Sequence, residues 1–456
     1  MAGYDELVTL LGEGSVLDGD RPGYRSDETE GAGVHGRPDA VVLPASTEAV
    51  ARVMAWCYEH DVALIPRGGG SGFAGGAVAV DGGVVVGLER LDRVRALDPG
   101  QWRMQAEAGV RTATVHRLAR EHGLYFPPDP GAAEQSQIGG NVATNAGGPH
   151  AFKYGVTGAW VTGLEAVVPP GEVITVGGPI RKDVAGYDLH GLLIGSEGTL
   201  GVITAAWLRL IPAPEQALPV IAFYADAQAG CAAIETVLAS GLVPATLEYL
   251  DAGALVAAAG SFPGSIPDRA GFAVVCEADG DRASAEALQA GLAEALDAGA
   301  LEVRTLTGGE AQGLWRWRDG VSLAVTARRG AKLSEDIVVP LDRLGEAIAQ
   351  TLEIGRRHDL EACSWGHAGD GNLHSTFLLD PASKIELRRA EHAAEDLFEL
   401  AVRLGGSVSG EHGLGYLKRG QLARQWPEPA LRLHEELKRL FDPKGLLNPQ
   451  KKLARV

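Results

Sequence analysis

Two short stretches gather the groups that could bind a metal or move protons. GHAGDGNLHS at 366–375 holds His367 and His374 seven residues apart around two glycines and Asp370, and SGEHGLG at 409–415 sets Glu411 beside His412. On one continuous strand, residues seven apart point to opposite faces, because side chains alternate. Gly369, Asp370 and Gly371 are strong turn formers, so a bend there would bring both imidazoles to one point. Two histidines and Glu411 would leave coordination positions open on a zinc ion, as catalytic rather than structural sites do. The same donors suit Mn or Fe. Adjacent side chains do not easily converge, which divides the labour. Glu411 would bind the metal, and His412, at another angle, would take a proton as general base. The plainer alternative is a pair of histidines that satisfy backbone groups in a turn; these residues alone leave both open.

The chain that must position these groups has 456 residues, enough for two or three domains with sizeable cores. Its 62 glycines are clustered rather than periodic, so no collagen-like or low-complexity reading fits. A net charge of −18 argues against a nucleic-acid partner and an anionic membrane surface. An acidic chain that binds an acidic small molecule needs locally concentrated Arg, Lys or metal. No run approaches the roughly 18 apolar residues of a membrane span, and MAGYDELVTLLGEGS lacks the basic and apolar regions of a signal peptide. Cys57, Cys231, Cys276 and Cys363 form no CxxC pair and read as buried thiols of a reducing compartment, so a cytoplasmic protein is expected.

The spacing of Val50, Val53, Met54 and Cys57 predicts a helix over 46–60 with Ser46 as N-cap. A buried strand, VALIP, then runs into PRGGGSGFAGG at 66–76. A helix near 112–122, a second glycine tract SQIGGNVATNAGG at 136–148, the strand GLEAVVP and a third tract LLIGSEGTLGVIT at 192–204 follow. The prolines of IPAPEQALP at 211–219 mark a boundary. Beyond it, the order of strands and helices predicts an α+β sheet covered by helices on one face. A helix at roughly 384–404 separates the two histidine stretches, and FDPKGLLNPQKKL at 441–453 reads as a turn-rich cap folded back onto the first half.

A glycine tract after a strand can be an unstrained loop and nothing more. It can also let successive amides approach a pyrophosphate as an anion nest. The first tract lacks a helix-opening GxGxxG and a GK[ST], and no nicotinamide fingerprint is visible elsewhere. Three tracts within 140 residues suggest a long, flat ligand lying across several loops. PRGGGSGFAGG, IGGNVATNAGG, KDVAGYDLHGLLIGSEGTLGVIT and FDPKGLLNPQK, within about residues 38–453, resemble the signatures of the vanillyl-alcohol-oxidase-type flavoproteins. More narrowly, they resemble the D-2-hydroxyacid dehydrogenase branch, which holds D-lactate dehydrogenase, D-2-hydroxyglutarate dehydrogenase and the flavoprotein of glycolate oxidase.

The resemblance implies an α+β fold in three parts. A two-part FAD-binding domain of vanillyl-alcohol-oxidase type would span 1–213, with its glycine-loop core from about 38. An α+β cap domain with an antiparallel sheet, carrying substrate and metal, would span 214–414, and 415–456 would return to the FAD-binding domain. By the same resemblance, Arg67, Gly68, Gly69, Gly70 and Ser71 wrap the FAD pyrophosphate, with Gly75 and Gly76 close behind. Ser136, Gly139, Gly140, Asn141, Thr144, Asn145 and Gly147 would line the isoalloxazine and ribityl portion. Glu197, Gly198 and Ile203 would sit by the adenine end, and Asn448 would return to the flavin. Relatives that attach FAD covalently use a histidine or cysteine in the first loop. Residues 66–76 contain neither, so FAD is expected without a covalent link.

His367, His374 and Glu411 become the ligands of a divalent metal, zinc first, and His412 takes the hydroxyl proton while the hydride passes to flavin N5. Arg318, Ser322 and Lys332 match positions that hold the distal carboxylate in relatives acting on 2-hydroxyglutarate, with serine for threonine and one residue's difference in spacing before the lysine. Two cations favour a dicarboxylate, because a methyl group would leave them unpaired. The reading is therefore an FAD- and metal-dependent dehydrogenase of D-2-hydroxy acids, with D-2-hydroxyglutarate favoured and D-lactate or glycolate the alternative. A flavin-binding electron-relay component of a larger complex is the alternative from another class. Quinone, electron-transfer flavoprotein and cytochrome remain open as electron acceptors, and the family suggests a homodimer.

Overall fold

A computed structural model describes residues 4–29 and 33–453. In the first half, strands Ala40–Val42, Val84–Gly87 and Leu64–Arg67 run parallel, and Val16–Asp18 adds an antiparallel edge. The helix Thr47–Glu59 covers them, its apolar stripe of Val50, Val53, Met54 and Cys57 buried against Leu64, Val84 and Val86. Ser46 caps it, the hydroxyl accepting the Ala49 amide at 3.2 Å. Leu64–Arg67 delivers the chain straight into the first glycine tract.

A five-stranded antiparallel sheet follows, in the order Val94–Asp98, Arg103–Glu107, Val202–Arg209, Val161–Val168, Glu172–Gly177. The second glycine tract forms a short helix, Ile138–Thr144, pressed onto the end of this sheet. A Cβ at Gly139 would come within 2.6 Å of the Ala108 Cβ, so glycine is what permits the approach.

Ile211–Pro212 still pairs with Leu124–Tyr125 of the first half, and Gln216–Tyr224 then opens a seven-stranded antiparallel sheet. Its order is Glu302–Thr305, Gln216–Tyr224, Phe272–Gly280, Thr246–Asp251, Glu361–His367, Asn372–Leu379, Ala331–Val338. Helices Ala227–Ala239, Arg282–Asp297, Leu344–Arg357 and Lys384–Arg403 pack on one face over Tyr224, Tyr249, Phe272 and Phe377. Helices Ala252–Ala258, Gly308–Asp319 and Val321–Arg329 cover the other over Phe223, Leu250 and Trp365. Helices on one face only was therefore wrong. The signal lies in runs such as PVIAFY and FAVVC, apolar at every position, which must be buried on both sides.

The tail returns to the first half, as its turn residues indicate. Leu64 donates to Leu446 O at 2.8 Å, and the Asn448 amide donates to Leu64 O at 2.7 Å. Among the described residues no helix is long and apolar enough to cross a membrane.

Candidate active site

The site grows from a hairpin. Pairing of Glu361–His367 with Asn372–Leu379 sets Trp365 opposite His374 and His367 opposite Asn372, so Trp365, His367 and His374 share one face. The turn closes through Gly371 at φ +74°, where a Cβ would lie 2.1 Å from Val339 O. Across this turn the odd spacing ceases to matter, and the imidazole centroids lie 5.4 Å apart. Flanking strands supply the same face: Glu248 stands opposite His367 and Asp336 opposite His374. Ser334 and Lys332 precede Asp336 by two and four residues on that face. The helices above contribute Arg318 and Ser322.

Glu411 and His412 arrive on a loop held by one anion. Asp336 Oδ2 accepts the amides of Gly410, Glu411 and His412 at 2.8, 2.7 and 2.9 Å, while Oδ1 takes the Lys418 ammonium. Glu411 Oε1 then lies 3.5 Å from both His374 Nε2 and His412 Nε2, and Oε2 lies 3.8 Å from His367 Nε2. The His412 ring stacks on His374 at 5.5 Å and packs against Phe73 at 4.7 Å. The expected divergence of Glu411 and His412 is thus corrected. A backbone curled around one carboxylate lets neighbouring side chains converge.

One cavity joins this cluster to the glycine tracts. All the residues assigned to FAD line it except Gly75, Asn145 and Asn448, and so do Arg318, Ser322, Lys332, His367, His374, Glu411 and His412. The three exceptions stand behind the wall. Gly75 packs on Val34 and Tyr416, and the Asn145 side chain accepts the Gly158 amide. Asn448 Nδ2 donates to Gly76 O at 3.0 Å and Glu197 O at 2.8 Å. The Arg67 guanidinium is turned onto Gly23 O and Ala77 O, bracing the loop. Glu197 accepts the amides of Leu414 and Gly415 at 3.1 and 2.6 Å, tying a glycine tract to the Glu411 loop.

The residues present fit both groups the sequence implies. Gly72, Gly76 and Gly140 line the cavity, and a Cβ on any of them would meet no atom within 4 Å. Side chains there would fill the very space a flat cofactor needs. One donor atom from each of His367, His374 and Glu411 lies within 4.8 Å of the others, close enough to share a cation. Cys363 is not among them; it is buried against helix Ala252–Ala258.

Residues 38–177 match the family described as FAD binding domain, and 213–452 match FAD linked oxidases, C-terminal domain. The chain belongs to the FAD-linked oxidases. It is 36% identical over 420 residues to glycolate oxidase subunit GlcD of Bacillus subtilis, covering 92% of this chain and 89% of that one. It is 33% identical to D-lactate dehydrogenase of Anaerostipes hadrus and 34% identical to D-2-hydroxyglutarate dehydrogenase of Xanthomonas citri pv. viticola, each over 91% of this chain and 89% of the relative. Among solved structures, p-cresol methylhydroxylase with substrate bound superposes with a TM-score of 0.82 at 17% identity, covering 99% of this chain and 96% of that one. The fold is therefore the vanillyl-alcohol-oxidase type.

Two buried carboxylates of this FAD-linked oxidase escaped the sequence reading. Glu248 Oε1 accepts His367 Nδ1 at 2.7 Å, and Oε2 accepts Arg318 Nε at 2.8 Å. Burial works to raise Glu248, but His367 and Arg318 hold it down at about 2. Burial likewise opposes ionisation of Asp336, which Lys418 and His412 pull well below the carboxylate range. Acids inside the apolar strands ATLEYLD and KLSEDIVVP were the available signal, since a buried charge needs a partner. Trp365 and Phe73, also missed, carry no such mark. Burial lowers His374 to about 3, so it offers a lone pair at neutral pH. His412 is raised, Asp336 and Glu411 outweighing its burial.

Proposed function

We propose that this FAD-linked oxidase oxidises a D-2-hydroxy acid to the 2-oxo acid. The observation that carries the reading is the convergence of His367, His374, Glu411 and His412 in the cavity that the glycine tracts line. Bound FAD would supply the acceptor for the two electrons leaving the substrate as hydride. A divalent cation held by His367, His374 and Glu411 would supply Lewis acidity for a chelated hydroxyl and carboxylate. His412 Nε2 stands at the same carboxylate without being needed as a ligand; with a cation offsetting the Glu411 charge that raises it, it would be the group to receive the hydroxyl proton. Phe73 and Trp365 wall that end and help exclude water. Relatives named for glycolate, D-lactate and D-2-hydroxyglutarate all fit this chemistry.

For the substrate we favour D-2-hydroxyglutarate. Arg318 and Lys332 line the cavity, and Lys332 donates to Ser322 O at 3.2 Å and lies over the Trp365 ring at 5.2 Å. A distal carboxylate would meet both cations. The test is reduction of an artificial dye by the purified flavoprotein with D-2-hydroxyglutarate, D-lactate and glycolate in parallel. Turnover highest with the dicarboxylate is expected; a preference for lactate or glycolate would transfer the assignment to those acids. No turnover with any of the three would remove the dehydrogenase reading.

A further inference from the structure

Glu248 touches two parts of the cavity that have separate tasks. It lies on the central strand Thr246–Asp251, directly across from His367, and is completely buried. Its Oε1 lies 2.7 Å from His367 Nδ1 and would hold a proton there, so that Nε2, the nitrogen facing Glu411, is the one that would turn a lone pair to a cation. Its Oε2 receives Arg318 through Nε at 2.8 Å and through Nη2. A guanidinium has two forked edges. The Nε–Nη2 edge is turned to Glu248, so the Nη1–Nη2 edge is left for a second carboxylate. Arg318 lines the cavity while only 7% exposed, and an arginine so confined keeps the orientation its partner imposes.

We propose that Glu248 is the positioning residue that couples the metal-ligating end of the cavity to its anion-binding end. The coupling rests on the functional reading above and extends it. One carboxylate sets the tautomer of a ligand and the aim of a substrate-binding fork, so a change at either end reaches the other through two hydrogen bonds. Linkage makes the effect reciprocal: what strengthens anion binding at Arg318 also changes cation affinity at His367. A buried ion pair that only closed the core would alter stability and leave both functions alone.

Glu248→Gln separates these cases, because a carboxamide cannot accept from both partners at both of its heavy atoms. FAD-loaded protein is stripped with a chelator, and Zn²⁺ is titrated back in competition with a chromophoric chelator. Flavin per chain, and kcat/KM for D-2-hydroxyglutarate and D-lactate, are measured alongside. The expected result is unchanged flavin content and Zn²⁺ affinity lower by roughly ten- to a hundredfold, the range typical for residues that orient a ligand. The dicarboxylate-to-lactate ratio of kcat/KM should also fall several-fold. Zn²⁺ affinity unchanged, or a ratio unchanged, overturns the coupling. If the variant does not fold, Arg318→Gln serves: Arg318 touches no proposed ligand, yet coupling requires its loss to shift Zn²⁺ affinity several-fold, and an unshifted affinity overturns the idea equally. Wild-type protein that neither binds Zn²⁺ nor turns over either acid defeats the functional reading itself. Wild-type protein that does both, with Glu248→Gln altering neither, defeats the coupling alone.

Discussion

His412 and His374 stand 5.5 Å apart, stacked, yet the chemistry assigned to them differs, and substitution should tell them apart. His412→Ala removes the proton acceptor and keeps every proposed ligand, so kcat should drop by about 10²–10⁴-fold while bound metal stays. His374→Ala removes a ligand, so metal content and activity should fall together with the flavin absorbance intact. Elemental analysis beside turnover checks both; metal lost from the His412 variant would make His412 a ligand instead. Lys332→Met tests the distal end. Losing a charge-assisted contact costs on the order of 1.5–3 kcal/mol, so KM for D-2-hydroxyglutarate should rise roughly ten- to over a hundredfold. D-lactate, with no distal carboxylate, should change little, and equal losses would make Lys332 structural.

Among the elements, the hairpin at 361–379 does most to assemble the site. Gly371→Ala places a Cβ 2.1 Å from Val339 O at φ +74°, so a lower melting temperature and weakened metal retention are expected. Gly420→Ala, with nothing within 4 Å, should leave both unchanged. The same strand is pinned by Asp251, whose carboxylate accepts the Ala254 amide at 2.9 Å and the Ser364 amide at 2.8 Å. Burial raises Asp251 to about 7. Between its ordinary value near 4 and that value, the folded chain holds a proton the unfolded chain has released, so stability falls as pH rises through this window. Urea midpoints from pH 5 to 8 should show the decline, and Asp251→Asn should flatten it. The hairpin was legible because a turn was written between two histidines. The cover of helices on the second face was less so, since Gly308–Asp319 and Val321–Arg329 are rich in charge, which masks their core-facing residues. Register was not legible at all. That Glu248 faces His367 depends on pairing between strands more than a hundred residues apart, which no local pattern encodes.

At the scale of the molecule, the chain's distant parts meet at the cavity through the tail. Asn448 is 1% exposed and donates to carbonyls of two different glycine tracts, at Gly76 and Glu197. Asn448→Ala would leave both carbonyls unpaired at about 1–3 kcal/mol each, so flavin should dissociate more readily, read as recovered free-flavin fluorescence. Retention equal to wild type would mean that the tail's backbone pairing with Leu64 suffices. The order of the glycine tracts, visible in the sequence, told which segments meet a cofactor. It could not tell which residues line the cavity and which brace it from behind, because Gly75, Asn145 and Asn448 differ from their neighbours only in the direction they face.

The hold of Asp336 on the 410–412 amides has a consequence for how such a site can change over time. At these three positions the bonds come from main-chain amides, and every residue type except proline carries the N–H they need. Positions 411 and 412 can therefore exchange their side chains while the loop stays where it is. Asp336 has no such latitude, because its replacement would release both positions at once. The freedom to acquire new chemistry and the obligation to preserve the old fold fall on different residues, and the less conspicuous of them carries the obligation.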